Sequence, residues 1–392
     1  METKNFFFCE RAEIWEYLKQ NSKTVIVMRI LQFALPIVLL FSVISCDGDY
    51  RPMSIGGIDE IIVVMDTTLQ GGQTALAIED TFGKYIETIP GAEPTYRLIY
   101  RDFSSNSELE EIQKYKNIIF VSPIDDETNV GSLIRAILSE DIENRVRSGD
   151  SFAFPLRDRW VRDQWTLLLT STSDEDLAEK ILNSENSLVG NLMELEFERR
   201  LGEIYRRGEQ VAISDSLWEN HGWSIRMQHD YIQSVDYENL AVFRRYLPEN
   251  NRWILAWWKD GVEDPGFLDY EWINATRDSL LEKYLRGERD GSFLTTEYRR
   301  SVITDQFDRD DGLISFETLG TWTMTNDFMG GPFVNFTYYD PNTSRLFMIE
   351  YGQFAPSVNK RRFVRQFRAM GRTFQSDSTW TSGNDLITQF GL

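Results

Sequence analysis

Residues 333–351 read FVNFTYYDPNTSRLFMIEY, and this stretch decides the fold class of the second half of the chain. Its two flanking runs, 333–339 and 346–351, are rich in the aromatic and β-branched residues that favour strands. Between them lies Asp340-Pro341-Asn342-Thr343, in which proline fixes the turn angle and the Asn and Asp side chains bond to nearby backbone. The stretch therefore predicts a hairpin of two antiparallel strands.

The segments around this hairpin extend the same pattern. Further strands are predicted at 224–227, 240–247, 252–258 and 314–323, and helices at 270–285 and 360–372, the last capped by Asn359. We therefore expect residues 209–375 to form an α+β half with mostly antiparallel pairing and a C-terminal helix. Residues after Phe374 are polar, and 376–392 are expected to form a frayed tail.

The first half alternates apolar runs with segments of helical spacing. Strands are predicted at 60–65 (EIIVVM), 96–100, 117–121, 152–154 and 166–170, and helices at 74–86, 107–115 and 132–138. A long helix is expected from Ser173 to about residue 207, with a break near Asn186. Residues 59–208 are therefore predicted to form an α/β half, and the fold class is α+β with two mixed sheet-and-helix halves.

An export segment precedes this body. Residues 28–46 read MRILQFALPIVLLFSVISC, with a positive start, an apolar run and the small Ser45 just before Cys46. The end of this segment resembles the lipobox of bacterial lipoproteins, which implies a signal peptide over 28–45, lipidation of Cys46 and a short tether over 46–58. The alternative is an uncleaved membrane-spanning helix over 24–45. Residues 1–27 fit neither an n-region nor a domain and are interpreted as a doubtful N-terminal extension.

Composition excludes several classes of function. The chain has 41 Lys and Arg against 62 Asp and Glu, a net charge of −21, so most of its surface repels nucleic acid and no such partner is expected. Its only Cys and His residues are Cys9, Cys46, His221 and His229. These are too few for a structural zinc site of the Cys/His type, and neither a metal nor a cofactor is expected.

The strongest local feature is the predicted terminal helix. Its arginines fall on one face, and apolar residues with the same spacing fall on another: Arg361, Arg365, Arg368 and Arg372 against Phe363, Phe367, Met370 and Phe374. Guanidinium groups suit phosphate or carboxylate, so the row is a candidate site for an anionic envelope component such as a phospholipid headgroup. The favoured alternative is that the arginines pair with the abundant carboxylates of the protein itself.

Weaker candidates lie elsewhere in the chain. Gly330-Gly331-Pro332 is interpreted as a tight turn before an edge strand, and Trp253, Trp257 and Trp258 as core residues rather than sugar-stacking ones. No catalytic motif is present, and no catalytic residue is assigned. The least arbitrary acids for a carboxylate-based hydrolase are Asp66, Glu317 and Asp327, each expected to be a paired or solvated carboxylate.

Several of these pieces together resemble one family. They are the lipobox at Cys46, the strand at 60–66, FMGGPF at 328–333, Ala355-Pro356 and Lys360-Arg361. In these the chain resembles an uncharacterised family of Bacteroidota lipoproteins, described only as a domain of unknown function. The resemblance implies export and a lipid-anchored place in the cell envelope, at the outer membrane and facing the periplasm or the surface. It implies no activity.

Two functional hypotheses follow from the sequence. The first is a non-enzymatic envelope lipoprotein, held to the membrane by its lipid anchor, that binds an anionic component or a protein partner. The second is a carboxylate-based hydrolase acting on envelope glycan. A deep cleft lined by two acids and several Trp or Tyr side chains would favour the second.

Overall fold

The computed structural model describes residues 49–377, and a five-stranded sheet forms the centre of its first half. The sheet has the order β2-β1-β3-β5-β4, with all pairs parallel except β4 with β5. Its strands are β1 (Glu60–Val64), β2 (Arg97–Arg101), β3 (Asn117–Val121), β4 (Ala153–Arg157) and β5 (Trp165–Leu169). Strands β3 and β5 are buried throughout, because helices cover both faces of the sheet.

Helices pack on both faces of this sheet. One face carries α1 (Gln73–Ile78), α5 (Asp174–Asn183) and α6 (Glu185–Tyr205), and the other carries α2 (Asn106–Ile112), α3 (Asn129–Ile137) and α4 (Glu140–Arg147). The single helix predicted over 74–86 ends at Gly83. Its α-helical part ends at Ile78, and a π-helical turn, Glu79–Gly83, follows. The predicted break in the long helix is real and lies at Ser184, between α5 and α6.

The second half is built on an eight-stranded antiparallel sheet with the order β10-β12-β13-β14-β9-β8-β7, to which β11 adds by pairing with β12. Its strands are β7 (Ile232–Tyr237), β8 (Leu240–Arg245), β9 (Asn251–Lys259), β10 (Leu294–Thr296), β11 (Ile303–Phe307), β12 (Ile314–Met324), β13 (Gly330–Asp340) and β14 (Arg345–Phe354). The hairpin predicted from 333–351 is β13 with β14, which pair from Phe333 with Gly352 to Asp340 with Arg345. The fold class is α+β, as predicted.

Two helices cover the two faces of this sheet. Helix α8 (Tyr270–Tyr284) packs on one face, and α9 (Arg361–Gly371) packs on the other through Val364, Phe367 and Met370. The second half also contains α7 (Val211–His221) and the short β6 (Trp223–Ser224). Strand β6 pairs with β15 (Gln375–Ser376), and Ser376 is fully buried, so the chain remains ordered past Phe374, where a frayed tail was expected.

The glycine pair before Phe333 was predicted to form a turn before an edge strand, and the edge-strand interpretation is wrong. Gly330 and Gly331 belong to β13, a central strand between β12 and β14, and pair with Thr323 and Trp322. A Cβ atom on Gly331 would lie 2.0 Å from the backbone oxygen of Gln353. Glycine is therefore required here by close backbone approach.

The cap of α9 also differs from the prediction. The helix begins at Arg361 after Lys360, and no side chain of its own segment caps it, so Asn359 does not have the expected role. Instead, the carboxylate of Glu93 accepts hydrogen bonds from the backbone nitrogens of Lys360 (2.6 Å) and Arg361 (3.1 Å). A carboxylate at this position also suits the positive end of the helix dipole. The start of α9 is thus stabilised by a residue of the first half.

From Met53 onward the described chain forms one compact unit. Within residues 49–377 no helix is long and apolar enough to cross a bilayer. Cys46, the predicted signal peptide at 28–45, the extension at 1–27 and most of the predicted tail at 376–392 lie outside the described residues.

Candidate anion-binding site

The four arginines predicted to form a row lie on α9, and each faces a carboxylate of the protein. Arg361 pairs with Asp59 and donates to the backbone oxygen of Pro94 at 2.8 Å. Arg365 pairs with Glu196 of α6 at 2.5 Å. These contacts agree with the alternative in which the arginines pair with carboxylates of the protein itself, since both guanidinium groups are already bound within the fold.

The other two arginines of the row share Glu317 of β12. Arg368 donates to both oxygens of this carboxylate, and Arg372 lies 3.5 Å from Oε2. Burial of Glu317 raises its pKa, but Arg368 and then Arg372 outweigh that effect, so the pKa lies below its usual value. Asp59 and Glu196 belong to the first half and Glu317 to the second. The row therefore fastens α9 to both halves at once.

The other predicted candidates include Asp327 and Trp253, which line one pocket, and Asp66, which follows β1. Asp66 accepts hydrogen bonds from the backbone nitrogen (2.8 Å) and hydroxyl (2.5 Å) of Thr68 and closes a turn. Asp327 accepts from the backbone nitrogen of Phe328 and lies 3.6 Å from Arg289. Trp253 and Trp258 are buried and Trp257 is half-buried, with Trp253 packed edge-on against Trp322. These tryptophans are core residues.

A second set of arginines, which the sequence did not single out, lines a pocket of about 220 Å³. We call it the basic pocket. It is bordered by the end of α6, the segment before β7, the β8–β9 hairpin and the first turn of α9. Its lining includes one acid, Glu203, against five arginines and a histidine: Arg206, Arg207, Arg245, Arg252, Arg362 and His229. In a chain of net charge −21 this concentration of positive charge is a local reversal.

Arg252 is the buried arginine of the basic pocket, with 5% of its surface exposed. Its hydrogen-bond partners are neutral: Asn250 at 3.2 Å and Gln366 at 3.3 Å, with its guanidinium 4.2 Å above the ring of Phe363. Burial lowers the pKa of Arg252 to about 10; Arg245 and Arg362 act in the same direction, whereas Tyr231 and Asp230 oppose it. Among the described residues Arg252 has no carboxylate within ion-pair distance.

The remaining arginines of the pocket differ in how far they are neutralised. Arg245 is paired with Asp230 at 2.6 Å and donates to Gln228 at 2.8 Å, and Arg362 is paired with Glu203. Glu203 also accepts from Arg200 at 2.9 Å, so its charge is shared. Arg206 and Arg207 are exposed and make no hydrogen bond or ion pair within residues 49–377. The pocket therefore keeps an excess of positive charge, which suits a phosphate or carboxylate.

One sequence signal for this pocket was available. Arg206-Arg207, Arg244-Arg245 and Arg361-Arg362 are consecutive arginine pairs, and each contributes at least one residue to the lining. The pairs are separated by more than thirty residues and lie on different elements, so only the tertiary fold brings them together. No group of three or more His, Cys, Asp or Glu side chains within the described part of the chain is arranged to hold a metal ion.

Sequence reasoning also missed a buried ion pair beneath α8. Arg277 donates to both oxygens of Glu350, at 2.9 and 2.6 Å, and its guanidinium lies 3.3 Å from the ring centre of Phe333. Asn335 donates to the same carboxylate at 3.1 Å. Burial raises the pKa of Glu350 and outweighs the opposing effect of Arg277. The two partners are 1% and 2% exposed, so the pair is internal.

Comparison with known families places these features in two domains. Residues 54–205 match the model described as Domain of unknown function (DUF8532), and residues 210–373 match that described as Domain of unknown function (DUF4837). Together the two matches cover most of the described chain. The basic pocket takes Glu203 and Ile204 from the region that matches DUF8532, Arg206 and Arg207 from between the two regions, and its other residues from the region that matches DUF4837. Ligand pockets often lie at such domain junctions.

Other comparisons add no function. No protein with a curated description matches the sequence. Among solved structures, the Saccharomyces cerevisiae Ran-binding protein Mog1p is 7% identical, with a TM-score of 0.28 over 40% of this chain and 90% of that one. A STAR-related lipid transfer protein from Xanthomonas axonopodis is 11% identical, with a TM-score of 0.21 over 37% of this chain and 98% of that one. Similarity at this level supports no argument about function.

Proposed function

We propose that this chain is a non-enzymatic envelope lipoprotein, held to a membrane by lipid on Cys46, whose body binds an anionic envelope component in the basic pocket. The observation that supports the binding function is Arg252, a buried guanidinium whose hydrogen-bond partners are neutral and which has no carboxylate within ion-pair distance among the described residues. Burying a charge without a counter-ion is costly. An anion in the pocket supplies that counter-ion.

The charge distribution supports an anion over a cation or a neutral ligand. Most of the surface is acidic and repels anions, so an anionic ligand is favoured only where positive charge is concentrated. The basic pocket meets that condition, and its arginines approach from four separate elements. Several guanidinium forks around one small volume suit a multiply charged group such as phosphate. The arginine row on α9 is occupied by Asp59, Glu196 and Glu317 and does not have this free charge.

The test measures anion binding to the full chain in phosphatidylcholine nanodiscs. Titration calorimetry with inorganic pyrophosphate compares the wild type with Arg252→Gln, and with Arg299→Gln as the matched control. Arg299 is an exposed arginine paired with Glu297 and lies outside the pocket. We expect Arg252→Gln to weaken binding about tenfold or more, because a charge-assisted hydrogen bond contributes about 1.5–3 kcal/mol. Arg299→Gln should bind like the wild type.

A second variant guards against a folding defect. Arg206→Gln/Arg207→Gln removes two exposed charges at the pocket, and its thermal unfolding should match that of the wild type. Its loss of affinity should shrink as salt is added, since exposed charges are screened over about 8–10 Å near physiological ionic strength. Equal pyrophosphate affinity in the wild type and in both pocket variants would overturn the binding proposal.

One observation favours the hydrolase hypothesis as a second candidate function. A separate pocket contains two acids, Glu288 and Asp327, together with Tyr246, Trp253 and Trp322. However, Trp322 is 1% exposed and Trp253 is 7% exposed, so they offer little ring face for a sugar. The test is release of soluble fragments from purified cell-wall glycan by the full chain. Activity abolished by Glu288→Gln and by Asp327→Asn would establish the hydrolase, and no release would exclude it for that substrate.

A further inference from the structure

The second pocket combines apolar side chains on its floor with a polar rim of comparable exposed area. Its volume is about 510 Å³, which lies within the range of about 300–1,000 Å³ typical of small-molecule sites. Seven apolar side chains line it: Trp253, Leu285, Leu294, Trp322, Met324, Met329 and Phe354. They come from β9, the end of α8, β10, the β12–β13 hairpin and β14, so the floor is built on the rigid sheet. We call it the apolar pocket.

Some of the charged side chains at the rim of the apolar pocket are paired within the protein, and others are not. Asp327 lies 3.6 Å from Arg289, and Glu288 is exposed. Arg244 and Arg286 also line the pocket, and neither side chain has a hydrogen-bond or ion-pair partner among residues 49–377. Together with Arg252, which has no carboxylate partner among these residues, they outnumber the one unpaired acid and make the rim favourable to a negative head group.

The loop beside this pocket exposes an aromatic ring. Phe328 is fully exposed, and its neighbours on both sides, Asp327 and Met329, line the pocket. Tyr246, another lining residue, is 63% exposed. Apolar surface at the border of an apolar cavity extends the area that an apolar ligand removes from water.

The two pockets lie on different sides of the β8–β9 hairpin. Arg244 pairs across the strands with Trp253, and Arg245 with Arg252. Because side chains alternate between the faces of a strand, Arg244 and Trp253 point away from the face that carries Arg245 and Arg252. Arg252 borders both pockets and is the one lining residue that they share.

We propose that the apolar pocket binds a small amphiphile with an apolar chain against the half-buried Met329 and Phe354 and an anionic head group at Arg244 and Arg286. This site shares Arg252 with the basic pocket and differs from it in every other lining residue. Its ligand differs in kind, since apolar side chains contribute contact area here and the charge contributes selectivity.

The test uses three ten-carbon amphiphiles that differ only in head group. Decyl sulfate, decyltrimethylammonium and decyl maltoside are titrated below their micelle concentrations against the full chain in phosphatidylcholine nanodiscs, with empty nanodiscs as the blank. We expect saturable binding above the blank, with decyl sulfate the tightest. Leu294→Trp fills the pocket and should weaken decyl sulfate binding about tenfold or more. Leu76→Trp, at a leucine 59% exposed on α1, is the matched control and should bind normally.

Two further variants keep the proposal falsifiable if Leu294→Trp folds poorly. Met329→Glu places a carboxylate in the half-buried lining and should also abolish decyl sulfate binding. Arg286→Gln should weaken decyl sulfate about fivefold, the equivalent of an exposed charge pair of about 1 kcal/mol, and leave decyl maltoside unchanged. No binding above the blank, or binding of all three amphiphiles that Met329→Glu leaves unchanged, would overturn the proposal. Pyrophosphate binding is measured on the same variants and should be retained, so this failure is distinct from failure at the basic pocket.

Discussion

Arg368 donates two hydrogen bonds to Glu317, from Nε to Oε1 at 2.9 Å and from Nη2 to Oε2 at 2.6 Å. This two-point contact joins the last helix of the body to the central antiparallel sheet. Glu317 is 7% exposed, so the carboxylate depends on Arg368 and Arg372 for its counter-charge. Glu317, which was a candidate catalytic acid in the sequence, therefore has a structural role as the ion-pair partner of Arg368 and Arg372.

Replacing Glu317 by glutamine should destabilise the fold markedly. The change leaves two largely buried guanidinium groups without their carboxylate, and breaking a buried pair in this way costs about 3–5 kcal/mol. Urea unfolding followed by circular dichroism measures the loss. Glu111→Gln is the control, because Glu111 pairs with Lys114 at an exposed site and should change stability by less than about 1 kcal/mol. Equal effects for the two variants would contradict the assigned role of Glu317.

The same carboxylate should make stability depend on pH in the acid range. Its pKa in the folded state lies below the ordinary value of 4.5, so the folded state holds the proton less tightly than the unfolded one. The stabilisation is therefore complete above the unfolded-state pKa and is lost as the pH falls through the folded-state pKa. The gap in unfolding free energy between the wild type and Glu317→Gln should narrow below about pH 4.5. A gap that widens on acidification would contradict the sign of this shift.

Reversing charge in the arginine row should lower the stability of the fold rather than remove an anion-binding site. Arg361→Glu/Arg365→Glu sets acids against Asp59 and Glu196 and should lower the free energy of unfolding by several kcal/mol, because Arg365 and Glu196 are both buried. Thermal unfolding and pyrophosphate titration on one preparation separate the two effects. If stability is unchanged and anion binding is lost, the row is the ligand site after all.

The pair beneath α8 should show strong coupling in a double-mutant cycle. Arg277→Met alone leaves Glu350 buried without its cation and should cost about 3–5 kcal/mol. Adding Glu350→Gln removes that uncompensated charge while keeping an oxygen for Asn335, so about half of the loss or more should be recovered. Chemical denaturation of the wild type, both single variants and the double variant gives the coupling energy. Strictly additive effects would show that the two residues do not act as a pair.

Lipidation is tested at Cys46. Cys46→Ala should abolish incorporation of labelled palmitate and block lipoprotein processing, because the acylated sulfur is gone. The wild-type body should also unfold at the same temperature with and without reductant, since a lipidated Cys46 has no thiol for a disulfide. Equal palmitate labelling of the two proteins would exclude Cys46 as the anchor.

The elements that the sequence predicted well are those with strong local patterns. The buried strands at 117–121 and 314–323 and the amphipathic α9 are examples, because burial on both faces or on one stripe leaves a periodic trace. Helix α7 was missed because it begins without a side-chain cap and has one fully buried residue, Leu217. The cap of α9 was assigned to Asn359, but Glu93, which is 267 residues away from Lys360, provides it. A contact between residues so far apart in the chain cannot be predicted from the local sequence.

The site was less predictable than the fold for the same reason. A row of arginines at helical spacing can be recognised in the amino-acid sequence. The carboxylates that neutralise it come from β12, α6 and the start of the first sheet, and the sequence does not show that they are close to it. The basic pocket shows the converse. Its arginine pairs are visible in the sequence, but each one by itself is indistinguishable from a solvated surface charge. They indicate a binding site only because the fold brings them together around the buried Arg252.

The long-range cap of α9 has a consequence for the order in which the molecule is made. Translation produces the first half and most of the antiparallel sheet before residues 360–372 emerge, and only these residues connect Asp59, Glu93 and Glu196 to Glu317. Contacts of such large sequence separation form late, because closing a long loop is entropically unfavourable. Until that moment a ribosome-bound chain lacks these ion pairs, and its two halves can meet through other contacts only, such as the hydrogen bond that Thr321 donates to the backbone oxygen of Thr88.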